Sequence, residues 1–224
     1  MEKVSRMRAL ESTPLTGDVD WKSPLGSRST WARLREQTRH CTFYRTYCFK
    51  ASLKQLEEVT EEHVTYVGDC AALPPSPFLC VLLAYDCCSP SREEVAAHLD
   101  CSKNVYWRAI VATWIRWKES RAEQVYQLLD PLYRDYRPIK VRQKDNSYHN
   151  SYLDVFIDQL LRYRCALVSL EEPFVLDVIP FPHLPPRYEL EARGVLPQRE
   201  YAAPEDGDDD DDDDDAVSRP RLQQ

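Results

Sequence analysis

Lys103–Lys118 reads KNVYWRAIVATWIRWK, and the fold turns on it. Val105, Tyr106, Trp107, Ala109, Ile110, Val111, Ala112, Trp114, Ile115 and Trp117 leave this stretch almost no polar face. Asn104, Arg108 and Arg116 lie near one stripe of it. A helix apolar nearly all round belongs in the middle of a domain, with other elements packed about it. Its three tryptophans suit either a stacking platform for nucleotide bases or a core. The aliphatic residues between them favour the core.

The flanks supply the surrounding elements. Ser91-x-x-Glu94 and Ser120-x-x-Glu123 have the form of capping boxes, predicting helices over 92–99 and 121–129. Pro77 suits the first turn of an apolar helix that runs from Phe78 to Cys87. Upstream, Ser29 or Thr30 caps a helix to about Arg39, and an aromatic helix covers about Thr42 to Leu56. Thr60-Glu61-Glu62-His63 has the pattern of a further cap and first turn. Downstream, Asp130-Pro131 breaks the helix, and Ile139–Gln143 and Tyr148–Tyr152 flank Lys144–Ser147 as a β-hairpin. Asp154 and Asp158 share one face of the next helix. With no histidine or metal motif beside them, they read as a capping residue and a solvated acid. Pro173, Pro180, Pro182, Pro185 and Pro186 mark an extended strap, and a short helix from Arg187 ends at Gly194. The fold class is mainly α: a single multi-helix domain around a central apolar helix, with one short β-hairpin.

Composition agrees. Five glycines and sixteen prolines in 224 residues favour helices with punctuated connections over an all-β fold. The formal charge of −8 is unevenly placed. Ten of the 37 acids and two of the 29 bases fall after residue 203, so the preceding body holds 27 of each. An aspartate run, Asp208–Asp215, has nothing apolar to bury against the entropy cost of ordering it. The expected organisation is a flexible arm over 1–26, a helical domain over 27–193 and a disordered acidic tail over 194–224.

Several functional classes find no support. There is no GxGxxG array, nucleophile elbow or HExxH, so neither catalysis nor a cofactor is expected. No run of about 18 apolar residues suggests a membrane span. The eight cysteines form no CxxC, and the first residues hold no secretory apolar core, which points to a reducing compartment. Cys80, Cys87 and Cys88 fall in or beside an apolar helix and read as small hydrophobes. His40, Cys41, Cys48 and His63 carry metal-ligating groups, but not at the spacing of a zinc knuckle.

The candidate contact surface is Tyr133-Arg134-Asp135-Tyr136-Arg137, where rigid aromatic area alternates with charge of both signs. Arg187 and Tyr188 repeat that pairing near the C-terminal end. Arg134, Arg137, Lys140, Arg142 and Lys144 also form a basic run open to RNA, although a neutral body argues against nucleic acid as the main partner.

This segment resembles the signature of the pre-mRNA-processing factor thirty-eight family of splicing proteins, in which "LEPLYNDYRK" precedes a short hairpin and an "EFIDELL" helix. The matching residues are Leu129, Pro131, Leu132, Tyr133, Asp135, Tyr136 and Arg137, then Phe156, Ile157, Asp158, Leu160 and Leu161. Pro77–Leu83 is similar to the family's "PTEFLCLLLK" helix. Tyr106, Arg108, Ala112 and Arg116 fall on "YVRLLGAFYLRLTG", and Leu184 with Arg187–Glu191 on "LPRLQKRYVLE". Phe43–Phe49 sits where the family has "YWKEECFGL". The likeness runs in order over residues 27 to 193. It departs at Arg116–Glu119, which lacks the glycine of "RLTG", and at Gly68-Asp69-Cys70, where the family has a glycine-rich loop. The arginine-serine tail of animal members has no counterpart.

The resemblance implies a nuclear, non-enzymatic scaffold that joins the spliceosome with the tri-snRNP at the precatalytic stage and is needed for its activation. It also implies partners: short helical segments of other spliceosomal proteins and the large central splicing protein, with RNA contact secondary. Helical partners of that kind present apolar anchors at i, i+3, i+4 and i+7.

Overall fold

The computed structural model describes residues 25–68, 74–101, 103–143, 145–163, 176 and 179–199. The arm before 25, Pro173 of the strap and the run Asp208–Asp215 lie outside them.

Helix α1 spans Leu25–His40, followed by a single π turn over Tyr44–Cys48 and helix α2 over Leu53–His63. Helices α3 (Pro77–Cys88) and α4 (Arg92–Cys101) lead to the central helix α5, Val105–Lys118. Helix α6 (Ala122–Leu129) runs into a 3₁₀ turn over Asp130–Arg134. Strands β1 (Pro138–Arg142) and β2 (Tyr148–Tyr152) form the antiparallel hairpin, with Pro138 facing Tyr152 and Arg142 facing Tyr148. Helices α7 (Leu153–Arg162) and α8 (Arg187–Ala192) complete the described elements.

The central position of α5 follows from its composition. Asn104 starts it, its Oδ1 accepting from the N–H of Tyr106 at 2.9 Å and of Trp107 at 3.3 Å. Every residue from Ala109 to Trp117 is buried, and α2, α3, α4, α6, α7 and β1 all pack on the helix. The three tryptophans are core. Trp107 and Trp114 each meet Tyr85 edge-on at 5.4 Å, and Trp117 meets Trp31 at 5.1 Å.

Capping chemistry explains which boundaries fell where expected. Ser91 and Glu94 make both bonds of their box, at 3.3 and 2.8 Å. Ser76 caps α3 through the Leu79 N–H, with Pro77 behind it. Gly194, at φ +70°, ends α8 and lets Val195 N–H reach the Leu190 carbonyl at 2.9 Å.

Other boundaries moved. Helix α1 begins at Leu25, ahead of Ser29. The aromatic helix expected over Thr42–Leu56 is two elements: Lys50 turns left-handed at φ +59°, and Ser52 with Gln55 forms an unforeseen capping box. Thr60 consequently lies in the last turn of α2 and donates to the Leu56 carbonyl at 2.7 Å. Ser120 caps nothing: Arg121 holds the N-cap position of α6, and the buried Glu119 carboxylate accepts its N–H at 3.0 Å. Cys80 is core as expected, but Cys87 is exposed and Cys88 only half-buried. The folded part runs past 193, since Leu196 is buried and Arg199 pairs with Asp130 at 3.2 Å.

Candidate protein-docking corner

The corner after α6 is built on a carboxylate. The 3₁₀ turn buries Leu132 and half-buries the ring of Tyr133. Asp135 then closes the turn, its N–H donating to the Leu132 carbonyl at 3.0 Å. Its side chain is 9% exposed and accepts from Arg108 Nη1 at 2.9 Å, Arg137 Nε at 2.8 Å and Arg137 Nη2 at 2.6 Å. This forked geometry is the strongest form of charge-assisted bond. Hydrogen bonds from Arg137, and then from Arg108, hold the Asp135 carboxyl below its ordinary range. Both arginines reach onward, Arg108 to the Asp100 carbonyl at 2.9 Å and Arg137 to that of Lys103. The ladder continues on the other side, where Leu153 N–H bonds the Arg137 carbonyl and Asp154 N–H that of Asp135. The Asp135 carboxylate and the backbone carbonyls beside it thereby tie the C-terminal end of α4, α5 and the start of α7 together.

Tyr133 and Arg187 make two further ties. The Tyr133 hydroxyl donates to Asp158 Oδ1 at 3.0 Å, and Arg162 pairs with the same acid at 2.9 Å. Asp158 is therefore a bonded member of the corner, and Asp154 makes no cap bond. Burial, then Asp158, pushes the Tyr133 hydroxyl up to about 12. Arg187 pairs with Asp130 and Glu191 and donates to the Pro197 carbonyl at 3.1 Å. Burial raises the Asp130 carboxyl, against the opposing pull of Arg187 and Arg199.

The seven candidate residues thus divide. Tyr133, Asp135, Arg137 and Arg187 make bonds that hold the fold. Arg134, Tyr136 and Tyr188 face outward, the two tyrosines 69% and 54% exposed. In the corner itself the alternation is regular: 133, 135 and 137 turn inward, while 134 and 136 turn outward. The basic run shrinks accordingly. Arg137 is neutralised by Asp135, and Arg142 is buried, bonding Asn146 at 2.6 Å.

Sequence reasoning gave Asp130 only a helix-breaking role and did not single out Arg199, because the two pair across 69 residues. It placed Arg108 and Arg116 on one stripe without assigning them work. The Arg116 side chain is fully buried and donates to the carbonyls of Leu160 (3.1 Å), Pro182 (2.9 Å) and Tyr163 (2.8 Å). Two arginines on an otherwise apolar helix were the available signal. As for the candidate metal ligands, exposed His40 pairs with Glu36. No group of three His, Cys, Asp or Glu side chains among the described residues is arranged to hold a metal.

The described architecture is that of a helical domain with a tied corner. The PRP38 family profile matches residues 32–194, and the chain belongs to the PRP38 family. Pre-mRNA-splicing factor 38A of Xenopus laevis is 30% identical over 177 residues, covering 78% of this chain and 53% of that protein. Pre-mRNA-splicing factor 38 of Arabidopsis thaliana is 27% identical over 169 residues, covering 74% and 44%. The chain spans about half the length of the curated relatives it matches. It is also similar to a chain in the crystal structure of the Snu23-Prp38-MFAP1(217-258) complex of Chaetomium thermophilum. There the TM-score is 0.66 at 26% identity, over 80% of this chain and 89% of that one.

Proposed function

We propose that this chain is a non-enzymatic scaffold of pre-mRNA splicing that docks segments of other splicing proteins in the nucleus. It enters with the tri-snRNP at the precatalytic stage and is required for spliceosome activation. The observation that carries this reading is the corner's alternation. Tyr133, Asp135 and Arg137 are fixed into the domain, so Arg134 and Tyr136 stand on a base that does not have to be ordered when a partner binds. Exposed tyrosine and arginine on such a base suit protein recognition. Family membership supports the splicing assignment, and a solved structure similar to this chain is a complex of Snu23, Prp38 and a piece of MFAP1.

The test is a pull-down of splicing proteins from nuclear extract with an Arg134→Glu/Tyr136→Ala variant, beside RNA titrations at two salt concentrations. Both side chains are exposed, so the variant should melt like the parent. It should lose protein partners and stall extract before activation, while the parent binds RNA weakly and with steep salt dependence. A variant that keeps every protein partner but loses tight, salt-resistant RNA binding would overturn the reading in favour of an RNA-binding module.

A further inference from the structure

The junction between α1 and the π turn holds a pair of thiols that the docking role does not use. Cys41 Sγ lies 3.5 Å from Cys80 Sγ, across 39 residues of sequence. Cys41 is half-buried on the connection after α1, whereas Cys80 is fully buried in α3. The Tyr44 N–H points at Cys41 Sγ from 3.4 Å. Cys48, a buried thiol at the end of the π turn, is pushed up to about 12 by burial and then by Cys41, so it stays protonated.

We propose that Cys41 and Cys80 form a peroxide-oxidisable dithiol, with Cys41 the attacking sulfur and Cys80 the resolving one. Only Cys41 of this pair is open to solvent, and the thiolate is the reactive form. Its sulfur attacks one oxygen of hydrogen peroxide, the O–O bond breaks, and the leaving hydroxide takes a proton to become water. The product is a sulfenic acid at Cys41. Cys80 then attacks that sulfur, the S–S bond forms, and the S–OH oxygen leaves as a second water with the Cys80 proton. Two thiols have lost two electrons and two protons, and one peroxide has become two waters. The sulfurs must close from 3.5 Å to about 2.05 Å, a small side-chain rotation for neighbours already in contact. The new bond fastens the connection between α1 and the π turn to α3. In a reducing compartment both thiols persist, and the tie forms only under peroxide and is reversed by thiol reductants.

The experiment exposes the full chain to stoichiometric hydrogen peroxide, blocks remaining thiols with N-ethylmaleimide and maps the digest by mass spectrometry. The expected product is a Cys41–Cys80 cross-linked peptide, 2 Da lighter than the two reduced peptides and reversed by dithiothreitol. The oxidised chain should melt about 10 °C higher, as closing a loop of this length implies. Cys41→Ser should abolish the cross-link. Cys80→Ser should leave a Cys41 sulfenic acid captured by dimedone, and Cys87→Ser should leave the cross-link unchanged. Absence of the link in the parent, a link through Cys48, Cys87 or any other sulfur in its place, or dimedone capture at Cys87 alone would overturn the proposal. The parent's peptide map decides the matter even if Cys80→Ser fails to fold.

Discussion

Replacing Arg116 with methionine tests how the domain is held together. The side chain is fully buried, and its guanidinium reaches three carbonyls, those of Leu160 and Tyr163 at the C-terminal end of α7 and that of Pro182 in the proline strap. The first two belong to the last turn of a helix, where carbonyls have no intrahelical donor and the dipole favours a cation. Methionine fills similar volume but donates nothing. A carbonyl left without a donor costs about 1–3 kcal/mol according to its burial. Taking about 2 kcal/mol for the buried Leu160 contact and about 1 kcal/mol for each part-buried one gives a loss of about 4 kcal/mol. In a domain of this size that lowers the melting temperature by about 10 °C. Arg116→Lys keeps the charge and should recover about half, because an ammonium cannot span three diverging acceptors. Urea unfolding read by tryptophan fluorescence measures both. An Arg116→Met variant within about 1 kcal/mol of the parent would refute the account, since it would mean that water already satisfies those carbonyls.

Three more outcomes follow from the geometry. Asp135→Asn should cost about 2 kcal/mol, because Arg108 and Arg137 lose their shared carboxylate. Since the folded carboxyl sits below its unfolded range, its stabilisation is present above about pH 4 and fades as pH falls through the folded value. The gap between parent and variant should accordingly narrow in acid melts. Trp114→Ala should cost about 3–5 kcal/mol in urea titrations, through lost packing on Tyr85 and the lost bond to Asp86 at 3.1 Å; a stable variant that had lost only RNA binding would restore the stacking reading. Ser89→Gly should raise stability by about 0.5–1 kcal/mol, because Ser89 ends α3 at φ +49°, which glycine adopts without strain.

What the sequence revealed was local. The apolar circumference of α5, the Ser91–Glu94 box and the Asn146 turn each rest on neighbours within a few residues, so spacing predicts them. The split at Lys50 was missed because the aromatic run on either side imitates one helix, and the left-handed turn falls on a residue that does not advertise it. Ser120 failed for the opposite reason. Its box pattern was present, but Glu119, packed between Arg92 and Arg121, took over the helix start. The ties of the corner were out of reach altogether. Asp130 meets Arg187 across 57 residues and Arg116 meets Pro182 across 66, and no periodicity encodes such pairs.

The corner also explains why its motif is shaped as it is. Leu129 and Leu132 are core, Pro131 lies in the first turn of the 3₁₀ element, Tyr133 bonds Asp158, and Asp135 and Arg137 clasp each other. Each of these matched positions is accounted for by the fold, so the match to the family signature identifies a shape. Tyr136 is the exception: it matches the pattern too, yet its ring is 69% exposed. A large aromatic left in water gains nothing for the isolated domain, whereas covering it on association releases about 25 cal/mol for each Å² of apolar surface removed. Arg134, the other outward residue, departs from the family pattern. If Tyr136 supplies the contact area common to such corners, Arg134 is where this chain's choice of partner differs. Tyr136→Ala should then weaken every partner that uses the corner, whereas Arg134→Asn, which restores the family residue, should change which partners are retained. Quantitative pull-downs comparing the two variants measure this, and identical partner profiles would refute the division of labour.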